Sequence, residues 1–136
     1  MEPELLALPL RLASGQDLRE ALTVATQARG FAAAFVLSGI GSLAVAHLRY
    51  AAAAESRRLE GPLEIISLAG TVGAGGPHLH IGVADANGRV VGGHVGAGCM
   101  VRTTAEVLLA LLPQWKFNRE FDVATGYREL VARRLG

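Results

Sequence analysis

The sequence is poor in cysteine and in aromatic residues. Cys99 is the only cysteine among 136 residues, so an intramolecular disulfide cannot form, and a reducing, cytoplasmic location is predicted. Aromatic residues make up 5% of the chain, whereas hydrophobic residues of all kinds make up 51%, much of it alanine, valine and leucine. A chain this rich in apolar residues is not expected to be disordered.

The sequence also lacks a long apolar run and an excess of charge. No apolar stretch approaches the roughly 20 residues that span a bilayer, and no basic segment followed by an apolar stretch marks a signal peptide. The net charge is +1, from 13 basic and 12 acidic residues. Dedicated nucleic-acid-binding domains are usually far more basic, because neutralising phosphates supplies their affinity. No membrane partner is predicted, and the charge does not point to DNA.

The chain is long enough for one domain with a substantial core. No repeat, linker or composition change divides it, so we expect a single domain over residues 1–136. Alternating or continuous apolar residues predict strands, with an irregular connection over residues 51–60. The predicted strands cover residues 4–12, 31–37, 43–50, 63–69 and 115–123, with one more short turn or helix in the tail.

Capping signals predict two main helices. The first opens at the N-cap Ser14, carries an apolar stripe from Leu18 onwards, and ends at Gly30. The second follows a capping box of Thr103 and Glu106 and covers residues 107–112. Together with the strands, these helices predict an α+β fold with a largely antiparallel sheet.

Three of the four histidines lie on one predicted β-hairpin. His78 and His80 are two residues apart on a strand and therefore point to the same face. Residues 85–89 fit a three-residue loop, in which a type I turn is followed by Gly88 in the left-handed conformation. That register places His80 opposite His94, so three imidazoles are predicted to converge on one patch.

A second register is open at this point. A two-residue type I′ turn over Asn87 and Gly88 would shift the pairing by one residue and move His94 to the other face. Asp85 favours the three-residue loop, because its side chain can accept hydrogen bonds at the first position of the turn.

Converging histidines are candidate metal ligands. Neutral imidazole binds zinc and similar divalent metals, and three protein ligands with one open position are typical of catalytic zinc sites. His78, His80 and His94 are therefore the predicted metal ligands, and zinc is the predicted metal. The competing interpretation is that they are structural histidines, hydrogen-bonded or at a subunit contact. His47 has no histidine neighbour and is expected to be structural or exposed.

The other candidate sites are weaker. Cys99 lies in an apolar stretch and is expected to be buried and unreactive. Arg11 and Arg102 lie at strand ends near the predicted patch and are candidates to hold an anion. The glycine-rich residues 70–76 lack the lysine of a P-loop and are interpreted as a turn. No complete catalytic constellation is present, so no catalytic residue is predicted, and the sequence leans against an enzyme.

A series of short motifs runs along the chain: residues 37–43, residues 59–70, His78-Leu79-His80, Asp85 with Gly88, Gly92-Gly93-His94, residues 103–106 and Thr125-Gly126-Tyr127. In this order the motifs resemble the PPC domain, the plants-and-prokaryotes conserved domain, over nearly the whole chain. The resemblance implies a compact α+β domain that assembles as a homotrimer. In plants the domain follows AT-hook motifs in nuclear DNA-binding proteins, whereas this sequence contains no Arg-Gly-Arg-Pro hook.

The resemblance leads to two functional hypotheses. The first is a self-associating module with a DNA-associated or regulatory role, whose partners would be its own copies and DNA or a DNA-binding protein. The second is a metal- or small-ligand-binding protein, extending to a metal-dependent enzyme, that uses the histidine patch. The family's histidines match His78, His80 and His94 by position.

Overall fold

The computed structural model describes residues 3–136 and consists mainly of antiparallel strands. Strands account for 63% of the residues and the single helix for 7%. In chain order the elements are β1 Leu6–Ala13, α1 Leu18–Gln27, β2 Ala33–Arg49, β3 Arg57–Gly73, β4 His78–Ala84, β5 Val90–Val95, β6 Met100–Leu111, β7 Trp115–Asp122 and β8 Tyr127–Arg134.

The predicted α+β class with two main helices is wrong, because the second helix is a strand. Residues 103–111 belong to β6, which is hydrogen-bonded to β1 on one side and to β2 on the other. Thr103 does not cap a helix: its backbone N–H and its hydroxyl both contact the hydroxyl of Ser42, at 3.2 and 2.7 Å. Ladders along both edges of the strand outweigh a local capping signal, which satisfies only helix-end groups.

The first helix forms as predicted, but it begins later than expected. Asp17, not Ser14, is the N-cap, and its carboxylate accepts a hydrogen bond from the Glu20 N–H at 3.1 Å. The other carboxylate oxygen accepts from the Gly98 N–H at 2.7 Å and so ties the helix to the loop before β6. Leu18 and Leu22 are fully buried and anchor the helix on the sheet. The helix is too short to cross a membrane.

Six strands form one sheet in the order β1-β6-β2-β3-β4-β5. The end of β5 also pairs with the end of β2, with Val95 opposite Leu48 and His94 opposite Arg49. Strands β2 to β5 therefore close into a ring around the apolar core. The remaining strands, β7 and β8, form a separate hairpin. Phe117 of that hairpin packs edge-on against Phe35 of β2, with ring centroids 5.6 Å apart.

Other predicted boundaries change because the strands are longer than their apolar runs. The two strands predicted at residues 31–37 and 43–50 are one strand, β2, and the irregularity between them consists of register shifts. Gly41 sits at one shift with φ +142, where a Cβ would lie 2.4 Å from the Thr104 carbonyl oxygen. The predicted connection ends at Ser56, since β3 begins at residue 57, and the tail forms β8.

Candidate metal centre

The turn between β4 and β5 has the predicted three-residue loop. The Asp85 N–H donates to the Arg89 carbonyl and the Gly88 N–H donates to the Asp85 carbonyl, both at 2.9 Å. The Asp85 carboxylate accepts from the N–H groups of Asn87 and Arg89 at 2.9 and 3.0 Å. Gly88 is left-handed, with φ +78. The turn therefore selects the predicted register, and the alternative with a two-residue turn is wrong.

This register brings the three histidines together. His80 pairs with His94 across the β4–β5 ladder, and their ring centroids are 4.7 Å apart. His78 lies on the same face, with its ring centroid 5.0 Å from that of His80 and 5.4 Å from that of His94. The neighbouring Leu79 and Ile81 point into the core and are 2% and 3% exposed. The histidines therefore share the outer face of the ring.

The spacing of the ring nitrogens fits a metal ion. One candidate ligand atom from each of His78, His80 and His94 lies within 4.8 Å of the other two. Zinc–nitrogen bonds of about 2.05 Å in tetrahedral geometry place ligand nitrogens about 3.3 Å apart, so the rings need to approach by roughly 1.5 Å or less. The side chains are only partly buried, which leaves room for that adjustment. The cluster therefore supplies three imidazoles that a small rearrangement would bring to the spacing of metal ligands.

Glycine at position 70 holds the histidine strand against β3. Gly70 has φ +152, and a Cβ there would lie 2.1 Å from the His78 carbonyl oxygen and 2.8 Å from the Leu79 Cα. A side chain would force β4 away from β3 at the level of His78. Small residues continue beside the cluster, where Gly82 pairs with Gly92. The backbone under the cluster is closely packed, whereas the space above it is open.

Burial and nearby cations favour the neutral imidazoles that bind metals. Burial lowers the pKa of His78 from 6.5, and the Arg119 guanidinium lowers that pKa further, as do the other two histidines. Burial also lowers the pKa of His94, and the charges of Arg49 and His80 lower it further. At neutral pH both side chains therefore present unprotonated nitrogens.

The lowered pKa values predict that the metal-free protein loses stability below pH 6.5. In the unfolded chain His78 and His94 titrate near 6.5, so as the pH falls through that value the unfolded state binds protons that the folded state does not. The urea midpoint of the metal-free protein should therefore be lower at pH 5.5 than at pH 7.5. The double variant His78→Asn/His94→Asn should lose less over the same range. An equal loss in the double variant would contradict this assignment.

The two other sequence candidates with reactive side chains lie outside the cluster. The His47 N–H lies 3.3 Å from the Cys99 sulfur, and the thiol in turn contacts the His47 carbonyl oxygen at 3.5 Å. Burial raises the pKa of the Cys99 thiol, so the thiol stays protonated. Cys99 is buried, as predicted, and its contacts with His47 involve the His47 backbone and not the imidazole.

The arginines beside the histidines are not the predicted ones. Arg11 and Arg102 do not line the cavities that contain the histidines. Arg19, Arg49 and Arg119 do, and they come from α1, β2 and β7. Arg49 reaches the cluster because it is paired with His94 where β5 closes onto β2, a pairing that the sequence does not indicate. For Arg19 and Arg119 no sequence motif marks proximity, because the contacts depend on how distant elements pack.

Residues 4–113 match the family profile of the Plants and Prokaryotes Conserved (PCC) domain. The chain belongs to this family. The family resemblance seen in the sequence is thereby confirmed, and the match ends before β7, which carries Arg119.

Similar proteins extend the comparison. The chain is 48% identical over 122 residues to the bifunctional protein GlmU of Synechococcus sp. (strain JA-3-3Ab). The match covers 90% of this chain and 20% of that protein. A second Synechococcus GlmU is 47% identical over the same length. The chain thus spans about a fifth of the curated relatives that it matches.

Two solved structures share the fold along nearly their whole length. A hypothetical protein from Salmonella cholerae-suis is 38% identical with a TM-score of 0.91, and the match covers 96% of this chain and 94% of that one. The metal-containing protein AF0104 from Archaeoglobus fulgidus is 30% identical with a TM-score of 0.77, and the match covers 93% of each chain.

Proposed function

We propose that this protein binds a divalent transition metal, zinc foremost, through His78, His80 and His94. The observation that carries the proposal is the approach of three imidazole nitrogens to within 4.8 Å of one another on one face of the β4–β5 hairpin. Neutral nitrogen ligands suit zinc and its neighbours in the transition series. The similarity to a protein described as metal-containing supports the proposal.

Three histidines supply ligands but no negative charge. A zinc ion at this site would keep its full charge and one open position, and would supply Lewis acidity. In the described part of the chain, no acidic side chain lines the two cavities beside the histidines, so no general acid or base is at hand. We therefore propose a metal- and ligand-binding role for this chain rather than catalysis by its own residues.

Metal content tests this proposal. Protein stripped with a chelator and then exposed to excess zinc should retain about one zinc per chain after buffer exchange, as measured by elemental analysis. The ligands must be unprotonated to bind, so retention should fall on acidification. Protein that retains no zinc at pH 7.5 would contradict the proposal.

A second proposal concerns self-association, in the form of the homotrimer that the family resemblance implies. Strands β2, β3 and β6 expose a group of apolar side chains on the outer face of the sheet. A group of exposed apolar side chains on neighbouring strands is typical of protein interfaces, whereas single exposed apolar residues are not informative. The group, called the apolar face below, is Leu37, Ile40, Ile66 and Leu108, which are 52%, 55%, 56% and 37% exposed.

DNA association remains a prediction of the resemblance. Two arginines of β8, Arg133 and Arg134, pair with Glu120 at 3.1 Å and Glu4 at 3.0 Å, so acidic neighbours counter part of the charge of the terminal hairpin. With a net charge of +1, the chain offers little of the electrostatic attraction on which DNA affinity depends. The proposals therefore rest on the histidines and the apolar face.

A further inference from the structure

Arginines flank the histidine cluster on two sides. A cavity of about 240 Å³ is lined by His78 and His94 together with Arg19 and Arg49. A second cavity, of about 180 Å³, is lined by His78, His80, Thr71 and Arg119 among others. His78 lines both cavities. The histidine cluster therefore lies between Arg119 on one side and Arg19 and Arg49 on the other.

Arg119 is held in place beside the cluster. Its Nη2 donates a hydrogen bond to the Thr71 hydroxyl at 3.2 Å, and Thr71 is itself 8% exposed. The stem of Arg119 packs where Gly75 has no side chain, since a Cβ on Gly75 would lie 2.7 Å from the Arg119 Cγ. Arg128 donates to the Arg119 carbonyl at 2.8 Å and fixes the backbone. A guanidinium held in this way needs little further ordering to bind a ligand.

The other two arginines retain hydrogen-bond donors as well. Arg19 donates to the Pro77 carbonyl at 3.3 Å, next to His78 in the chain. Arg49 donates to the Ala53 carbonyl at 3.1 Å. A guanidinium has five N–H donors, so each of these bonds uses a small part of its capacity.

The charges at this place add up to a strongly positive site. The cavity-lining residues of the described chain include three arginines and no carboxylate. Burial, Arg119, His80 and His94 each lower the pKa of His78. The one acidic group that acts on this pKa, Glu129, raises it, and its effect is smaller than any of the other four. A divalent metal ion on neutral ligands would add to the positive charge. A site with this excess of positive charge attracts an anion.

We propose that the histidine site takes a small oxyanion, a carboxylate or a phosphate, which lies between the histidine cluster and the Arg119 guanidinium. This inference rests on the proposed metal site. Guanidinium groups form paired, charge-assisted hydrogen bonds with both kinds of oxyanion. The cavity volumes suit a small anion or the anionic end of a larger ligand. Arg119 is the specificity-determining residue, and Arg19 and Arg49 border the other side.

Calorimetric titration of the zinc-loaded protein tests the inference, with inorganic phosphate in one arm and acetate in the other. The variant Arg119→Gln should bind the preferred anion roughly 10- to 100-fold more weakly, the range expected for loss of hydrogen bonds to a charged group. Arg133→Gln, which removes the same charge from the same hairpin, should bind like the wild type. The zinc content of all three proteins is measured first. The arm with the tighter binding identifies the class of oxyanion.

The outcomes separate the two proposals. Failure of the wild type to retain zinc would overturn the metal site, and the oxyanion site with it. Retained zinc without binding of either anion would overturn the oxyanion site alone. Retained zinc with equal anion affinity in Arg119→Gln and wild type would overturn the role of Arg119. Equal loss of anion affinity in Arg119→Gln and Arg133→Gln would also overturn the role of Arg119, because the loss would then come from the change in net charge.

Discussion

The variant His80→Ala is expected to lose stoichiometric zinc binding. His80 lies between the other two ligands, with its ring 5.0 Å from that of His78 and 4.7 Å from that of His94. Its removal leaves two ligands, too few for the open three-ligand site. Loss of outer-shell partners of a metal ligand already costs 10- to 100-fold in affinity, so loss of a ligand should cost more than about 100-fold. Competition with a chromophoric chelator measures the affinity.

The matched control is His47→Gln. This variant also removes one of the four histidines, but from a position on β2 outside the cluster. It should retain one zinc per chain with the wild-type affinity. Because His80 is exposed, His80→Ala should unfold at the same temperature as the wild type when both are metal-free. Wild-type zinc affinity in His80→Ala would contradict the three-histidine site.

The variant Leu37→Asp is expected to break the proposed trimer into single chains. Leu37 is 52% exposed on the apolar face, and a buried unpaired carboxylate at a subunit contact is strongly unfavourable. Light scattering should give about three times the 14.2 kDa chain mass for the wild type and the single-chain mass for the variant. The loss should be nearly complete at micromolar concentrations.

Val123→Asp is the control for this experiment. Val123 is 91% exposed in the turn between β7 and β8, and the substitution introduces the same charge on another exposed apolar residue. It should leave the mass of the assembly unchanged. A wild type that remains a single chain at high concentration, or an assembled Leu37→Asp, would contradict self-association through the apolar face.

Local chemistry made the histidine hairpin predictable. The turn from Asp85 to Arg89 is determined by groups within five consecutive residues, and it sets the register of both strands. Once the register is set, strand alternation places His80 opposite His94 without any information from the rest of the fold. The same locality explains why α1 was predictable, apart from the choice between Ser14 and Asp17 as its cap.

Local chemistry failed where distant strands compete with it. Thr103 and Glu106 have the spacing of a capping box, yet β6 is a strand because β1 and β2 pair with it along both edges. The helical signal involves neighbours in sequence, whereas the ladders involve residues about 60 to 100 positions away, such as Gly41 and Arg11. Sequence periodicity does not contain those partners.

The sequence by itself determined the family and favoured the hairpin register in which His78, His80 and His94 converge, because motifs and turn geometry act over short distances. Only the tertiary structure decided what surrounds them. Closure of β5 onto β2 brings Arg49 to one side of the histidines, and docking of the β7–β8 hairpin brings Arg119 to the other. These positions follow from the packing of elements far apart in the chain, which no local pattern records.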